Sequence, residues 1–221
     1  MILLIFPLGK ELKYFKKCLE NKSAKFTSTE FNNTKLWHHE SRAWLLATGG
    51  HGKVQFGLST LELVRNFPEI SAILCLGSAG ALTKDLVPGN IIVGEITIEH
   101  DFKSRFENEP NLPSFKGDND LIEKLDINPK GNTKVKRGII ASGDEDIVSE
   151  ERAFELHELT LASAVAWEGA GGARAALKAQ LPYLEVRAIT DSADNFVKED
   201  FFKNLSEAME NLANFLDKSN L

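Results

Sequence analysis

Two carboxylates set the chemistry that this sequence offers. Glu168 closes the apolar run Ala164–Trp167 and precedes the Ala-rich stretch ARAALKAQ, which reads as a short strand, an acid at its mouth and then a helix. Asp191 closes the β-rich run Tyr183–Thr190 and opens Asp191-Ser192-Ala193-Asp194, a cluster suited to a turn or a helix start. Open α/β sheets hold ligands at the carboxyl ends of their strands, so the two acids are expected to meet in one pocket and are the first candidates for chemistry. The plainer alternative makes Asp191 a helix cap and Glu168 a solvated helix-start residue. A third acid, Glu11, follows the buried-strand pattern Ile2–Phe6 and the break Pro7-Leu8-Gly9. It stands in the first turn of a helix marked by Leu12, Phe15 and Leu19, where favourable interaction with the helix dipole is the simplest role for it.

Around these acids lie segments that let a ligand approach the backbone. Thr48-Gly49-Gly50-His51-Gly52-Lys53 links a strand, Ala43–Ala47, to a helical pattern over Val54–Phe67. Its glycine spacing is neither that of a P-loop nor that of a dinucleotide fingerprint. The strand Ile73–Leu76 runs into Gly77-Ser78-Ala79-Gly80-Ala81, small residues that can form a pocket floor, with the Ser78 hydroxyl able to reach a ligand. The strand Val135–Ala141 ends in Ser142-Gly143-Asp144-Glu145-Asp146.

The remaining elements alternate. Phe26–Phe31 and Lys35–His39 read as hairpin-like strands, Ile91–Val93 and Glu95–Ile98 as further strand closed by His100-Asp101, and Lys103–Thr133 as a long irregular excursion with one short helix near Leu121–Leu125. A helix over Glu150–Thr160 is expected to turn Phe154, Leu156 and Leu159 inward. The class is α/β, with no internal repeat, and 221 residues suit one domain spanning 1–221.

Composition narrows the partners. The chain is 43% hydrophobic and 26% charged, with a net charge of −6, which argues against disorder and against a basic nucleic-acid-binding face. Lys13–Lys17 and Lys134–Arg137 are short, interrupted basic runs that read as solvated surface. Cys18 and Cys75 are far apart and read as free intracellular thiols. The adjacent His38 and His39 would point to opposite faces of a strand, so a metal site is not expected, and no cofactor is expected either. The apolar start MILLIF is too short for a signal peptide or a membrane span, and the default location is the cytoplasm.

In order, GGHGKV, LGSAGAL followed by PGNIIVGE, EHD, ASGDEDIVSEE, VAWEGAG and VRAITDSAD resemble the purine nucleoside phosphorylase and uridine phosphorylase superfamily. Within it the bacterial methylthioadenosine/S-adenosylhomocysteine nucleosidases are the most similar branch. The resemblance covers nearly the whole chain and implies a three-layer α/β/α domain with a central mixed β-sheet, assembled as a homodimer, that cleaves the N-glycosidic bond of a purine nucleoside. It places Asp191 on the general acid for purine N7, Glu168 on the ribose hydroxyls, and Glu11 on the nucleophilic water, with Ser78 and Arg187 helping to hold that water. Ile147 and Phe201 fall on further substrate-binding positions, Phe201 on an aromatic of the 5′ pocket.

A phosphorylase needs cations beside the sugar. Neither FPLGKEL nor LGSAGAL carries an arginine, and Lys10 is the only nearby cation, so water is the expected nucleophile. The sequence also departs from the nucleosidase pattern inside the pocket. Glu145-Asp146 replace an Ala-Phe pair whose aromatic stacks on the purine, Trp167 replaces a methionine and offers stacking from another side, and His51 replaces an apolar residue near the 5′ end. A polar or larger 5′ group fits that change. The alternatives are a futalosine-type hydrolase, a phosphate-dependent phosphorylase, and a catalytically silent nucleoside binder, the last motivated by the cost of burying Glu145 and Asp146 beside a base.

Overall fold

Leu3 and Ile5 of the first strand belong to one hydrophobic core, and Leu4 and Phe6 to another, so the N-terminal strand is buried on both faces. This alternation sets the layering of the whole chain in the computed structural model, which describes residues 1–103, 111–125 and 133–221. In chain order the first elements are β1 (Ile2–Phe6), α1 (Gly9–Asn21), β2 (Phe26–Phe31), β3 (Thr34–His39), β4 (Trp44–Thr48), α2 (Lys53–Asn66), β5 (Ala72–Ala81) and β6 (Ile91–Glu99). They are followed by β7 (Ser114–Lys116), α3 (Asn119–Glu123), β8 (Val135–Ser142), α4 (Glu150–Thr160), β9 (Ala164–Ala166), α5 (Gly169–Ala179), β10 (Tyr183–Asp191) and α6 (Val197–Asp217).

Helices α1, α3 and α6 cover the Leu4 and Phe6 side, and α2 and α5 cover the Leu3 and Ile5 side, giving three layers around a mixed sheet. Phe6 and Phe15 meet with ring centroids 5.0 Å apart, tilted by 55°, and tie α1 to β1. A fully buried Phe contributes about 1.5–3 kcal/mol by area, so truncating Phe15 would loosen the helix that carries Glu11.

The sheet is more than an open layer. Its order β10-β6-β8-β9-β5, with β10 also paired to β5, closes five strands into a ring. Small side chains allow the closure: Ala79, Ala81, Ala164 and Ala166 share a core with Ile92, Ile140 and Ile189.

Several sequence expectations are corrected here. β5 does not stop at Leu76 but continues to Ala81, because β10 pairs with it from Ile73 to Gly80 and holds the small residues in strand geometry. On α4 the buried stripe is Ala153, Leu156 and Thr160, while Phe154 and Leu159 are exposed, since both lie off the face that meets the sheet. The excursion over 103–133 contains β7, paired to β6, and its helix spans Asn119–Glu123. The parts of that excursion at 104–110 and 126–132 lie outside the described residues. Among the described residues no helix is long and apolar enough to cross a membrane.

Candidate active site

The site lies where one edge of β5 changes partner. β10 occupies one edge of β5 up to Gly80. On the other edge β1 pairs with Ala72–Cys75 and β9 with Gly80 and Ala81, which leaves the edge of residues 76–79 free between them. Such a split is a switch point of an α/β sheet. Glu11 fills it: its Oε1 accepts from Ser78 N at 2.8 Å and from Ser78 Oγ at 2.6 Å, and its Oε2 accepts from Leu8 N at 2.9 Å. The last bond satisfies an orphan donor at the start of α1, so the helix-start role expected of Glu11 and its place in the site are one arrangement. Burial raises the Glu11 carboxyl above its usual range, against the Ser78 hydrogen bonds and the Arg187 charge.

A cavity of about 340 Å³ opens over this split, and Glu11, Ser78, Glu168 and Asp191 all line it. Glu168 precedes α5 and is nearly inaccessible to solvent. Burial alone would raise its carboxyl, but His51, Arg187 and the Gly52 N–H outweigh that and hold it low. His51 Nδ1 lies 3.2 Å from Glu168 Oε1, Gly52 N donates to the same oxygen at 3.2 Å, and Arg187 Nη2 donates to Oε2 at 3.4 Å. The glycine loop thus delivers a side chain and an N–H to one carboxylate, and at φ 83° Gly52 holds a backbone conformation that favours glycine.

Asp191 ends β10, where the register with β5 shifts between Ile189 and Asp191. Its Oδ2 accepts from Thr190 Oγ1 at 2.8 Å and its Oδ1 from Ala193 N at 3.0 Å. Burial pushes this carboxyl up, only partly countered by those two bonds, and Asp194 and Asp200 add to the rise. A Cβ on Gly80 would stand 2.7 Å from Asp191 Oδ1, so glycine is what admits the acid against β5. Of these three acids one is held low and two are raised, a separation suited to an anion that binds and acids or bases that move protons.

Trp167, His51, Ile147 and Phe201 complete the wall named from the sequence. The Trp167 and His51 rings stack with centroids 4.2 Å apart and an interplanar angle of 25°. Of the expected site residues only Arg187 does not line the cavity: it stands behind Glu168, almost fully buried. Lys10 is exposed, with its ammonium 5.5 Å from the Phe202 ring centroid, and no lysine or arginine is among the described residues lining the cavity. Glu145 is ion-paired with Arg152 at 2.7 Å and Asp146 is exposed, so neither acid bears the burial cost expected of it.

One residue behind the site escaped the sequence reading. Glu185 has no exposed surface and contacts Arg187 and Thr97. Its signal was available: Glu185 and Arg187 are two charges at strand period in an otherwise apolar run, and unpaired charges are almost never fully buried. Among the described residues no group of His, Cys, Asp and Glu is arranged to hold a metal ion.

Comparison with known proteins identifies the family and the fold. A model of the phosphorylase superfamily matches residues 1–219. A 5′-methylthioadenosine/S-adenosylhomocysteine nucleosidase of Staphylococcus saprophyticus is 36% identical over 160 residues, covering 68% of this chain and 69% of that protein. An aminodeoxyfutalosine nucleosidase of Helicobacter pylori is 29% identical over 185 residues, covering 80% of each. Among solved structures, the 5′-methylthioadenosine/S-adenosylhomocysteine nucleosidase of Neisseria meningitidis in complex with methylthio-immucillin-A superimposes with a TM-score of 0.85 at 27% identity, over 97% of this chain and 96% of that one.

Proposed function

From the premise that this chain belongs to the phosphorylase superfamily, we propose that it is a nucleosidase that hydrolyses the N-glycosidic bond of a purine nucleoside with a modified 5′ group. The observation that carries the reading is the trio of Glu11, Glu168 and Asp191 around one cavity, with Ser78 bound to Glu11. Asp191 is the acid. A purine leaves poorly as an anion, and a carboxyl raised by burial can hold the proton that N7 receives. Glu168, kept ionised, accepts the ribose hydroxyls and stabilises the cationic sugar of an oxocarbenium-like transition state. Glu11 and Ser78 hold and deprotonate the attacking water, and the proton passes to Glu11 as the new C–O bond forms.

Water rather than phosphate is favoured because the described cavity wall carries no lysine or arginine, and Arg187 is committed to carboxylates behind it. His51 and Asp146 at the mouth favour a polar or extended 5′ substituent, so a futalosine-like nucleoside stands beside methylthioadenosine and S-adenosylhomocysteine as a substrate. The working unit in this reading is a cytoplasmic homodimer. Exposed Val54, Leu58 and Leu177 on α2 and α5 supply an apolar face for a second copy, and two free buried cysteines suit a reducing compartment.

Incubation of the protein with a panel of 5′-modified purine nucleosides, with and without phosphate, tests the reaction. Free base and free sugar released equally in both conditions is the expected result. Phosphate-dependent release of a sugar 1-phosphate would replace the hydrolase with a phosphorylase, and binding without release over hours would leave a silent binder.

A further inference from the structure

Glu185 is a carboxylate sealed in the middle of β10, and the chemistry above leaves it without a task. Its Oε2 accepts from Thr97 Oγ1 on β6 at 2.6 Å, and its Oε1 accepts from Arg187 Nε at 2.8 Å. The room for it comes from a missing side chain, since a Cβ on Gly169, the first residue of α5, would overlap the Glu185 carboxyl group. Arg187 turns its far end to the cavity wall, where Nη2 donates to Glu168 Oε2 at 3.4 Å and to Cys75 Sγ at 3.3 Å, and Nη1 donates to Ser78 O at 3.4 Å. A Cβ on Gly77 would stand 2.8 Å from Arg187 Nη1 and 2.9 Å from Glu11 Oε1, so the guanidinium also lies beside the third acid.

We propose that Glu185 is a positioning residue for hydrolysis: it anchors Arg187 from behind, so that the guanidinium meets Glu168 and Ser78 in one orientation, and it offsets the charge that Arg187 turns toward Glu11. The inference rests on the hydrolase reading. The titratable groups around Arg187 are Glu185 on its own strand, Cys75 on β5, Glu168 before α5 and Glu11 on α1, with Tyr183 next along β10 and His51 beyond Glu168. Burial pushes the Cys75 thiol and the Tyr183 phenol far up, so both are neutral and neither can replace the Glu185 charge. Arg187 pulls the Glu11 carboxyl down against the effect of burial. Removing the charge of Glu185 leaves that pull less compensated, which makes Glu11 a weaker base.

The test is Glu185→Gln, assayed on the nucleoside that the wild-type protein hydrolyses fastest. Expected are a kcat lower by about tenfold with KM changed less than about threefold. The acid limb of kcat/KM should move to lower pH, because Glu11 then loses its proton at lower pH, while the alkaline limb set by Asp191 stays in place. Glu185→Asp keeps the charge and should return the acid limb to the wild-type position. A Glu185→Gln protein that is merely less heat-stable, with unchanged kcat and acid limb, overturns the proposal. Should that protein not fold, Thr97→Val carries the test: it removes one hydrogen bond from Glu185 and no charge, and kcat should fall by about threefold, whereas an unchanged kcat overturns the proposal. Failure of the wild-type protein to hydrolyse any nucleoside is a separate result, which removes the hydrolase reading and this inference with it.

Discussion

At the back of the cavity Glu185, Arg187 and Glu168 are buried and bonded to one another across β10 and the start of α5, whereas at the mouth the His51 side chain is 54% exposed and Asp146 stands in solvent. The back is built on strands of the closed ring, and the mouth on the glycine loop, the segment after β8 and the start of α6. In the proposed reaction, groups that must be held within fractions of an ångström would sit on the strands, and groups that select among substituents on the loops. Replacements at the back should therefore change rate, and replacements at the mouth should change which nucleoside binds.

The largest effect is expected from Asp191→Asn. Loss of the proton donor should cut turnover by about a hundredfold or more, with nucleoside affinity kept within about tenfold, read by single-turnover rates and equilibrium binding. The same substitution should raise Tm. Burial raises the folded-state Asp191 carboxyl, so its favourable contribution is full below its unfolded value and is lost as pH rises through the folded one. An asparagine never ionises, and its amide can meet Thr190 Oγ1 while its carbonyl accepts from Ala193 N. The Tm difference should thus be largest near pH 8 and shrink as the pH falls. Turnover above a few per cent of wild type would point to Asp194 or Asp146 as the acid.

Glu11→Gln should come next. Hydrolysis is lost by about a hundredfold while base and ribose binding stay nearly intact, because the amide can hold a water but cannot take its proton. Weakened binding of the same size as the rate loss would show that Glu11 acts on the substrate rather than on water. Glu168→Gln should be milder and mixed, raising KM and lowering kcat by about tenfold each. A pure kcat effect would contradict a role in ribose binding.

At the mouth, His51→Ala should change KM by only about threefold, and mainly for nucleosides with polar 5′ groups. It should also remove a pH dependence. Glu168 raises the His51 imidazole above its ordinary value, so the ion pair holds below that raised value and dissolves above it, freeing Glu168 Oε1 for a ribose hydroxyl. Wild-type affinity should therefore rise across that step, and the His51→Ala protein should bind evenly through it, as measured by titration calorimetry. A step that survives the substitution would assign it to another group.

The acids at the strand mouths were legible because an abrupt change from β-rich or apolar residues to a carboxylate is a local signal, and both Glu168 and Asp191 carry it. The inward face of α1 was equally legible in the spacing of Leu12, Phe15 and Leu19, whereas the helical cover on both sides of the sheet came only from the family resemblance. What stayed hidden depends on partners far along the chain. Gly77 to Ala81 have low strand propensity and read as a loop, yet β10 and β9 keep them in β5. Phe154 and Leu159 look like core residues at helical spacing, but α4 meets the sheet along a different stripe. The ring closure, and with it the reason for a glycine at 169, exists only once β10 finds both β5 and β6.

That ring also governs traffic. Every strand of the ring has a neighbour on each side, and β5 keeps a free edge only over residues 76–79, where Glu11 sits, so the floor beneath Ser78 cannot part without breaking the pairing to β10. In the proposed reaction base and sugar should therefore leave on the side lined by His51, Val197 and Phe201. On this route the dwell time of products is expected to depend on the first turn of α6 and the glycine loop. Substitution of Phe201 should make turnover less sensitive to solvent viscosity, and an unchanged sensitivity would place the slow step in the chemistry instead.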